Sequence, residues 1–405
     1  DLYWFCNMVD MKSALHFLFA AYNVHPSKGH PMATFDFGKI DISPENAGYN
    51  AARLQLLNDY YEKLIDSGKV QSAGFLMARK GKIIAHQAVG KLTHKADSPV
   101  IKHDTLKPIA SITKVFTATA IMKLVEDGKL WLGQPVKDII AEFNTPLHGG
   151  ISLWHLLTHT SGLPADPGYF QEPYPINWFE RIYCDDWLKI ILSGPIQAQP
   201  GEQWNYCSMG FAVLGEVVSR VSGMHFNDYV EKEIFQPLGM TRTFMEPPET
   251  LKNEVSIRND DDIQELAECS IRQQNRPPRS GGGAFSTMYD LYRFAQCFLN
   301  GGTLDGVRII GRKTAEAMTR NQLENVPSFH WGAKCKTYRQ GLGWGFYADG
   351  PTVSPSCYNH EGWGWCALYN DPEEQFTYVS FFADDKDWNP DLVVKPRTIA
   401  WSGII

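Results

Sequence analysis

The chain lacks several features that would point to common classes of protein. Its eight cysteines include no C-x-x-C pair, and none joins histidines at the spacing of a zinc site. No stretch is long and apolar enough to span a bilayer. Its 38 lysines and arginines are outnumbered by 45 aspartates and glutamates, so the net charge is −7. These absences argue against a metal site, an integral membrane span and a nucleic-acid partner.

Three catalytic signatures are also absent. Without G-x-S-x-G, H-E-x-x-H or a P-loop pattern, the sequence does not predict an α/β-hydrolase elbow, a zinc protease or a nucleotide-binding loop. A composition of 43% hydrophobic and 20% charged residues is typical of a globular protein. The cysteine spacing favours buried, reduced thiols, and we therefore expect a cytoplasmic location.

Residues 1–44 are predicted to form an N-terminal extension packed on the body of the protein. Within it, residues 11–22 place a lysine before a short apolar run, which faintly resembles a signal peptide. The run contains a histidine and no clear cleavage site follows it. Export remains the alternative to the extension. Residues 23–48, which contain three prolines, are predicted to be an irregular linker.

The hydrophobic pattern predicts an α+β fold. Helical spacing marks residues 50–67, 112–126, 210–221 and 394–403, and strand patterns mark residues 72–78, 83–89, 341–347, 366–369 and 376–382. Strands therefore concentrate towards the two ends of one domain, residues 45–405. We expect the ends, about 45–130 and 280–405, to form one antiparallel sheet with flanking helices, and residues 131–279 to form an inserted, mainly helical lobe.

The candidate nucleophile is Ser111, three residues before Lys114 at the start of a predicted helix. This spacing places both side chains on one helix face. A serine hydroxyl needs a neighbour to take its proton, and a lysine with a depressed pKa can be that neighbour. The backbone N–H of Ser111, at the helix start, can face a developing oxyanion. Taken alone, Ser111 would be read as a helix cap and Lys114 as a solvated lysine.

Tyr206 is a candidate for proton transfer. It follows the Pro200-Gly201 turn and precedes a predicted helix. A phenol beside a cation can lose its proton and act as a general acid or base. The alternative is an aromatic residue of the core.

Several motifs resemble, in order, those of the serine β-lactamase-like and penicillin-binding-protein-like family, with closest similarity to class C β-lactamases and family VIII carboxylesterases. The resemblance covers roughly residues 45–403. The motifs are the S-x-x-K element, residues 156–164 (LLTHTSGLP), the Y-x-S element Tyr206–Ser208, residues 237–240 (PLGM), Gly282-Gly283 with Ser286, Thr287 and Asp290, and His360-Glu361-Gly362. The resemblance implies a β-lactamase-like fold in which Ser111, Lys114 and Tyr206 are catalytic.

The resemblance also implies substrate-binding roles for six further residues. Ser208 stands where many relatives carry asparagine, and His360-Glu361-Gly362 stands where β-lactamases carry Lys-Thr-Gly. Gly362 would let the substrate approach an edge strand, and the N–H of Trp363 would be the second oxyanion donor. Asp166 falls where class C relatives place a substrate-contacting polar residue, although a solvated loop acid is the alternative reading. A glutamate at position 361 would repel a substrate carboxylate if it faces the pocket.

We therefore expect a serine hydrolase that acts on small esters or amides through an acyl-enzyme, with no metal and no organic cofactor. Three alternatives remain open: a class C β-lactamase, a D-amino-acid peptidase or aminopeptidase, and a non-catalytic protein that binds peptidoglycan-like ligands. The expected partner is a small ester, amide or β-lactam. The sequence does not determine the oligomeric state.

Overall fold

The computed structural model describes residues 34–166, 186–269, 276–330, 333–346, 352–384 and 389–405. The α-helices are α1 (Ala51–Asp66), α2 (Thr113–Glu126), α3 (Leu153–Leu157), α4 (Trp187–Ser193), α5 (Ser208–Ser222), α6 (Phe226–Val230), α7 (Asp260–Glu268), α8 (Met288–Leu299), α9 (Arg312–Met318) and α10 (Val394–Trp401). Shorter 3₁₀ segments are Glu45–Ala47, Ala110–Ile112, Val136–Asp138, Ala141–Phe143 and Glu249–Glu254, and a π-helical turn spans Glu231–Phe235.

The strands are β1 (Asp36–Phe37), β2 (Ser72–Arg79), β3 (Lys82–Gly90), β4 (Lys107–Pro108), β5 (Phe285–Ser286), β6 (Thr303–Leu304), β7 (Val307–Arg308), β8 (Ser328–His330), β9 (Ala333–Cys335), β10 (Tyr358–Gly362), β11 (Cys366–Asp371) and β12 (Phe376–Phe382). The main sheet has six strands in the order β1-β3-β2-β12-β11-β10, and every neighbouring pair is antiparallel. The prediction that both ends of the chain form one antiparallel sheet is confirmed.

The two faces of this sheet bury different helices because strand side chains alternate. Phe75 and Met77 of β2 pack with residues of α1 and α10 in one hydrophobic cluster. Leu76 and Ala78 pack with residues of α2 and α8 in a larger cluster on the other face. The sheet therefore lies between two helical layers, and α2, which follows Ser111, lies on the second face.

The local signals that predicted α1 are those that form it. The Asn50 side chain accepts a hydrogen bond from the N–H of Ala52 at 2.9 Å, which caps the helix, and Gly68 follows with φ +67°. The predicted helices at 112–126, 210–221 and 394–403 are also present as α2, α5 and α10. β1 lies inside the segment predicted to be an extension and linker, and adds an edge strand to the sheet. Residues 1–33 of that segment lie outside the described residues.

The predicted strand at residues 341–347 is wrong over its described part, residues 341–346. That segment is a loop held by isolated bridges, of which one joins Gly345 to Asn359 of β10. Gly343 has φ +76°, and a Cβ atom there would lie 2.4 Å from the Cβ of Ala118 in α2. The glycines allow this loop to pass close to α2, and a left-handed backbone cannot continue a strand.

Two further expectations concern membranes and thiols. Within the part of the chain that the structure describes, no helix has the length and apolar character needed to cross a membrane. Six cysteines in this part are free thiols: Cys207, Cys269, Cys297, Cys335, Cys357 and Cys366. Cys6 and Cys184 lie outside the described residues.

Candidate active site

Ser111 lies in the 3₁₀ turn Ala110–Ile112 that leads directly into α2. The preceding residue, Ala110, has φ +43°, a left-handed conformation that is uncommon for a residue with a side chain. Oγ1 of Thr113 donates a hydrogen bond to the Ala110 carbonyl at 2.7 Å and accepts one from the N–H of Ala284 at 3.0 Å. These contacts hold a strained turn that presents a partly exposed serine at a helix start.

Lys114 is completely buried and its amine contacts three oxygen atoms. Nζ donates to Oγ of Ser111 at 3.1 Å, to Oγ of Ser208 at 2.9 Å and to the carbonyl of Gly281 at 2.6 Å. Ser208 begins α5 and Gly281 precedes β5, so the amine joins three separate segments. The structure thus brings together Ser111 and Lys114, as the S-x-x-K spacing predicts, and adds Ser208.

Burial controls the protonation of this amine. Removal from water lowers the pKa of Lys114 to about 8, while the charges of Asp166 and Cys207 act in the opposite direction. Nζ also lies 4.7 Å from the centroid of the Tyr206 ring, a cation–π geometry that favours the charged form. A lysine of this kind exchanges protons close to neutral pH, which an exposed lysine does not.

Tyr206 is buried between Lys114 and His159. Its ring stacks on the His159 imidazole with centroids 4.5 Å apart. Nδ1 of His159 accepts a hydrogen bond from the N–H of Cys207 at 3.0 Å, and burial holds the pKa of His159 well below its usual value. His159 is therefore a neutral residue, and its ring positions Tyr206 by stacking on it. His159 lies inside segment 156–164, one of the motifs that carry the family resemblance.

Asp166 is not a solvated loop acid, because both of its carboxylate oxygens accept hydrogen bonds from Ser208. Its contact with a substrate stays a prediction. Oδ1 accepts from the N–H of Ser208 at 2.7 Å, and Oδ2 accepts from its Oγ at 2.6 Å. Burial raises the pKa of Asp166, and the Lys114 charge and the Ser208 hydrogen bonds oppose this rise.

His360 faces the site from β10, the edge strand of the sheet. Its ring centroid lies 6.5 Å from that of Tyr206, and Nδ1 donates to the carbonyl of Glu361 at 2.8 Å. Burial, followed by the charge of Lys114, lowers the pKa of His360 to about 3. The imidazole is therefore neutral at physiological pH.

Glu361 does not face the candidate site, so its predicted role in substrate binding is wrong. Its Oε1 accepts a hydrogen bond from the hydroxyl of Tyr369, whose ring packs in the cluster on the α1 and α10 face. Arg397 of α10 lies beside the same tyrosine ring, 5.5 Å from its centroid. Successive residues of a strand point to opposite faces, so a glutamate after His360 points away from Lys114.

Gly362 fits against the protein's own backbone. A Cβ atom there would lie 2.3 Å from the carbonyl oxygen of Ile109, two residues before Ser111, and 2.6 Å from the sulfur of Cys366. The missing side chain therefore lets β10 approach the turn that carries Ser111. Trp363 follows immediately, and its side chain is 48% exposed.

Metal ligands do not converge in this region. Among the residues that the structure describes, no group of three or more histidine, cysteine, aspartate or glutamate side chains could hold a metal ion. The groups that the site brings together are two hydroxyls, a buried amine, a phenol, two neutral imidazoles and one half-buried carboxylate.

The chain is similar in sequence or fold to several known proteins. A protein of Escherichia coli K12, whose name provisionally assigns it as a D-alanyl-D-alanine carboxypeptidase, is 27% identical over 382 residues, which is 84% of each chain. The solved structure of a family VIII carboxylesterase has a TM-score of 0.66 at 21% identity, covering 88% of this chain and 98% of that one. A penicillin-binding protein homologue from Caulobacter crescentus also has a TM-score of 0.66 at 21% identity, covering 87% and 97%.

The structural neighbours show the fold, and the family assignment comes from the sequence. The family model described as Beta-lactamase matches residues 57–400, which includes α2, β10 and every residue of the candidate site. The chain therefore belongs to the Beta-lactamase family, within the β-lactamase and penicillin-binding-protein type of serine hydrolases.

Proposed function

We propose that this protein is a serine hydrolase that forms an acyl-enzyme on Ser111 and acts on small, uncharged esters or amides. The observation that carries the proposal is the 3.1 Å contact between Oγ of Ser111 and the buried amine of Lys114. A nucleophile and a base within hydrogen-bond distance are the requirement for such chemistry. Burial supplies the depressed pKa that the base requires.

The reaction begins with neutral Lys114. As Oγ of Ser111 bonds to the substrate carbonyl carbon, its proton moves to Nζ of Lys114 and the carbonyl π electrons move to oxygen. The N–H groups of Ser111 and Trp363 stabilise this oxyanion. When the intermediate collapses, the bond to the leaving group breaks, and Lys114 returns the proton to that group with Tyr206 assisting the transfer. Water then repeats the sequence on the acyl-enzyme and releases the acid.

The proposed substrate class rests on the charge of the β10 face of the site. In the family, the lysine and threonine of the Lys-Thr-Gly element help to hold a substrate carboxylate. Here β10 offers the neutral imidazole of His360 in the lysine position. Glu361 points to the other face of the sheet, so it neither repels nor attracts a substrate there. The absence of a cation from this strand supports neutral esters and amides over carboxylate-bearing β-lactams.

A second candidate is hydrolysis of a peptide that ends in D-alanyl-D-alanine. The name of the E. coli relative favours it, and that relative matches 84% of this chain. Such a substrate carries a terminal carboxylate, which would have to be held by a group outside β10. Class C β-lactamase activity and D-aminopeptidase activity remain further alternatives, and both would use the same acyl-enzyme mechanism.

The experiment combines active-site labelling with a substrate panel. Purified protein is treated with a fluorophosphonate probe, and the labelled peptide is identified by mass spectrometry. Turnover of p-nitrophenyl acetate, benzylpenicillin and a D-alanyl-D-alanine peptide is measured for the wild type and for Ser111→Ala. We expect labelling at Ser111, fastest turnover of the ester, and a loss of about 1,000-fold or more in the variant, since only binding-based catalysis would remain.

Each other outcome has a distinct meaning. Faster turnover of the penicillin or of the peptide than of the ester would replace the proposed substrate class. Labelling at another residue, or full activity in Ser111→Ala, would overturn the assignment of the nucleophile. No labelling and no turnover would support a non-catalytic binding protein.

A further inference from the structure

The hydroxyl of Ser208 lies between the buried amine of Lys114 and the half-buried carboxylate of Asp166. Its oxygen is 2.9 Å from Nζ of Lys114 and 2.6 Å from Oδ2 of Asp166. The other carboxylate oxygen, Oδ1, accepts from the backbone N–H of Ser208 at 2.7 Å. Ser208 therefore connects Lys114 to Asp166, which does not itself hydrogen-bond to the amine among the contacts of the described residues.

Proton counting fixes the direction of these hydrogen bonds. An ionised carboxylate has no hydrogen to donate, so the single hydrogen of the Ser208 hydroxyl points to Oδ2 of Asp166. Towards Lys114 the Ser208 oxygen can then only accept. The carbonyl of Gly281, 2.6 Å from Nζ, can also only accept. Burial raises the pKa of Asp166, and the two hydrogen bonds that Ser208 donates to it favour its ionised form.

These directions determine where the lone pair of neutral Lys114 points. A neutral amine has two N–H bonds and one lone pair. Ser208 and Gly281 are obligatory acceptors and take the two N–H bonds, so the remaining tetrahedral position, which faces Oγ of Ser111 at 3.1 Å, holds the lone pair. We propose that Asp166 is a positioning residue that, by holding the Ser208 hydroxyl, directs the lone pair of Lys114 to Ser111. This inference rests on the proposed function of Ser111 as nucleophile.

An asparagine at position 166 would disturb this arrangement without changing its size. Its amide NH₂ would donate to the Ser208 oxygen, and the Ser208 hydrogen would then turn towards Lys114 and compete with Ser111 for the lone pair. The variant also removes the negative charge that favours protonated Lys114. Two separate effects follow: a lower maximal rate, and a Lys114 that loses its proton at lower pH.

The test is a mutant cycle of Asp166→Asn, Ser208→Ala and the double variant, measured by p-nitrophenyl acetate hydrolysis from pH 6 to 10. We expect Asp166→Asn to lower the high-pH plateau of kcat/KM by about 10- to 100-fold, because misorientation of a catalytic group costs that much. If Asp166 acts through Ser208, adding Asp166→Asn to Ser208→Ala lowers the plateau less than about 2-fold further. Independent, multiplicative losses would overturn the inference.

Asp290 provides the matched control. Its Oδ2 accepts from the N–H of Arg242 at 2.8 Å and from Oγ1 of Thr243 at 2.9 Å, so it also engages one backbone N–H and one hydroxyl while contacting no residue of the site. Asp290→Asn should lower the melting temperature but leave the plateau of kcat/KM within about 2-fold. An equal loss of activity in Asp290→Asn would show that Asp166→Asn acts by general destabilisation, which would overturn the inference.

A measurement independent of turnover separates this inference from the proposed function. The Lys114 titration is followed by ¹³C NMR of lysine-labelled protein and assigned by the signal missing in Lys114→Ala. We expect the Lys114 pKa to fall in Asp166→Asn relative to the wild type. An unchanged titration would overturn the inference even if Ser111 is labelled. A wild type that titrates as expected but neither labels nor hydrolyses esters would instead refute the proposed function.

Discussion

At the scale of single residues, the protonation of Lys114 limits the proposed chemistry. Burial lowers its pKa to about 8, against an ordinary value of 10.5, while Asp166 and Cys207 favour the charged form. At pH 7 most molecules therefore carry an ammonium, which cannot accept the proton of Ser111. The neutral fraction increases about tenfold for each pH unit until the pKa is reached.

The expected consequence is a pH-dependent acylation rate. For an ester without ionisable groups, kcat/KM should rise about tenfold per pH unit below pH 8 and level off above it, because the base of the free enzyme must be neutral. The measurement is a pH profile from 6 to 10. Lys114→Arg, a cation that does not lose its proton, should reduce the plateau by several orders of magnitude. A flat profile would show that Lys114 is not the base.

The sequence predicts contacts between residues that are close along the chain, and it does not predict contacts between distant ones. Ser111 and Lys114 are three residues apart on one helix, so local geometry brings them together. The contacts of Lys114 with Ser208 and Gly281 join residues 94 and 167 positions apart. Such contacts depend on how α2, α5 and the segment before β5 pack. For the same reason the roles of Asp166 and His159 emerge only from the folded structure.

At the scale of elements, strand alternation in β10 determines that neighbouring side chains point to opposite faces of the sheet, but not which side chain points to which face. The pattern His360-Glu361-Gly362 implies that the first two side chains point to opposite faces. It does not say which of them faces the helices that carry the site. The pairing of β10 with β11, which places Glu361 opposite Ala367 and beside Tyr369 in the folded sheet, resolves the question.

Removal of the Glu361 side chain should therefore affect stability and not substrate choice. Glu361→Ala deprives the buried Tyr369 hydroxyl of its acceptor, which costs about 1–3 kcal/mol of unfolding free energy. The ratio of ester to penicillin turnover should stay within about 2-fold of the wild type. Thermal denaturation and the two turnover assays measure this, with His360→Ala as the variant on the opposite face. A large change of the ratio in Glu361→Ala alone would place the carboxylate in the pocket.

A second prediction at this scale concerns the approach of β10 to the Ser111 turn. In Gly362→Ala the new methyl group would lie 2.3 Å from the carbonyl oxygen of Ile109, so the strand must move away. We expect kcat to fall about 10- to 100-fold, since the Trp363 N–H moves with β10 away from the oxyanion, and stability to fall by about 1–3 kcal/mol.

Gly150→Ala is the control for this variant, because a Cβ atom at Gly150 meets nothing within 4 Å. It should leave both kcat and the melting temperature almost unchanged. Ester hydrolysis at saturating substrate, together with thermal denaturation, measures both properties. Wild-type kcat in Gly362→Ala would show that the position of β10 does not determine the oxyanion site.

Elements whose ends carry local signals were predictable from the sequence. The cap at Asn50 and the glycine at position 68 define α1, and short, mostly apolar runs that are buried on both faces define β2, β3 and β12. The segment 341–346 has a similar apolar content but forms a loop, because Gly343 must pass close to Ala118. That constraint comes from a helix more than two hundred residues earlier in the chain.

At the scale of the whole molecule, the site lies where the edge strand β10 meets the helices on one face of the sheet. Desolvation is therefore a property of the architecture and not of one residue. It lowers the pKa of His360 to about 3 and that of His159 well below its usual value, and in the sheet it lowers the pKa of His86 to about 4. Burial therefore keeps these histidines neutral in the folded protein.

These histidines make the stability of the fold depend on pH. Between its unfolded pKa of about 6.5 and its folded pKa of about 4, His86 binds a proton in the unfolded state but not in the folded state. The part of the unfolding free energy that depends on a neutral His86 is fully present at neutral pH and is lost as the pH falls below 6.5. Integration from pH 7 to pH 5 gives a loss of about 2 kcal/mol for this histidine. Asp290, whose pKa burial raises to about 6, acts in the opposite direction and offsets part of the total.

The test isolates His86, which lies in β3, away from Ser111. In His86→Gln the unfolding free energy should fall less between pH 7 and pH 5 than in the wild type, by about 2 kcal/mol. Urea denaturation at both pH values measures the difference. His94→Gln serves as the control, because the His94 side chain is partly exposed beside Asp260 and is not buried in the core. If His86→Gln and the wild type lose equal stability, His86 does not remain neutral in the folded protein.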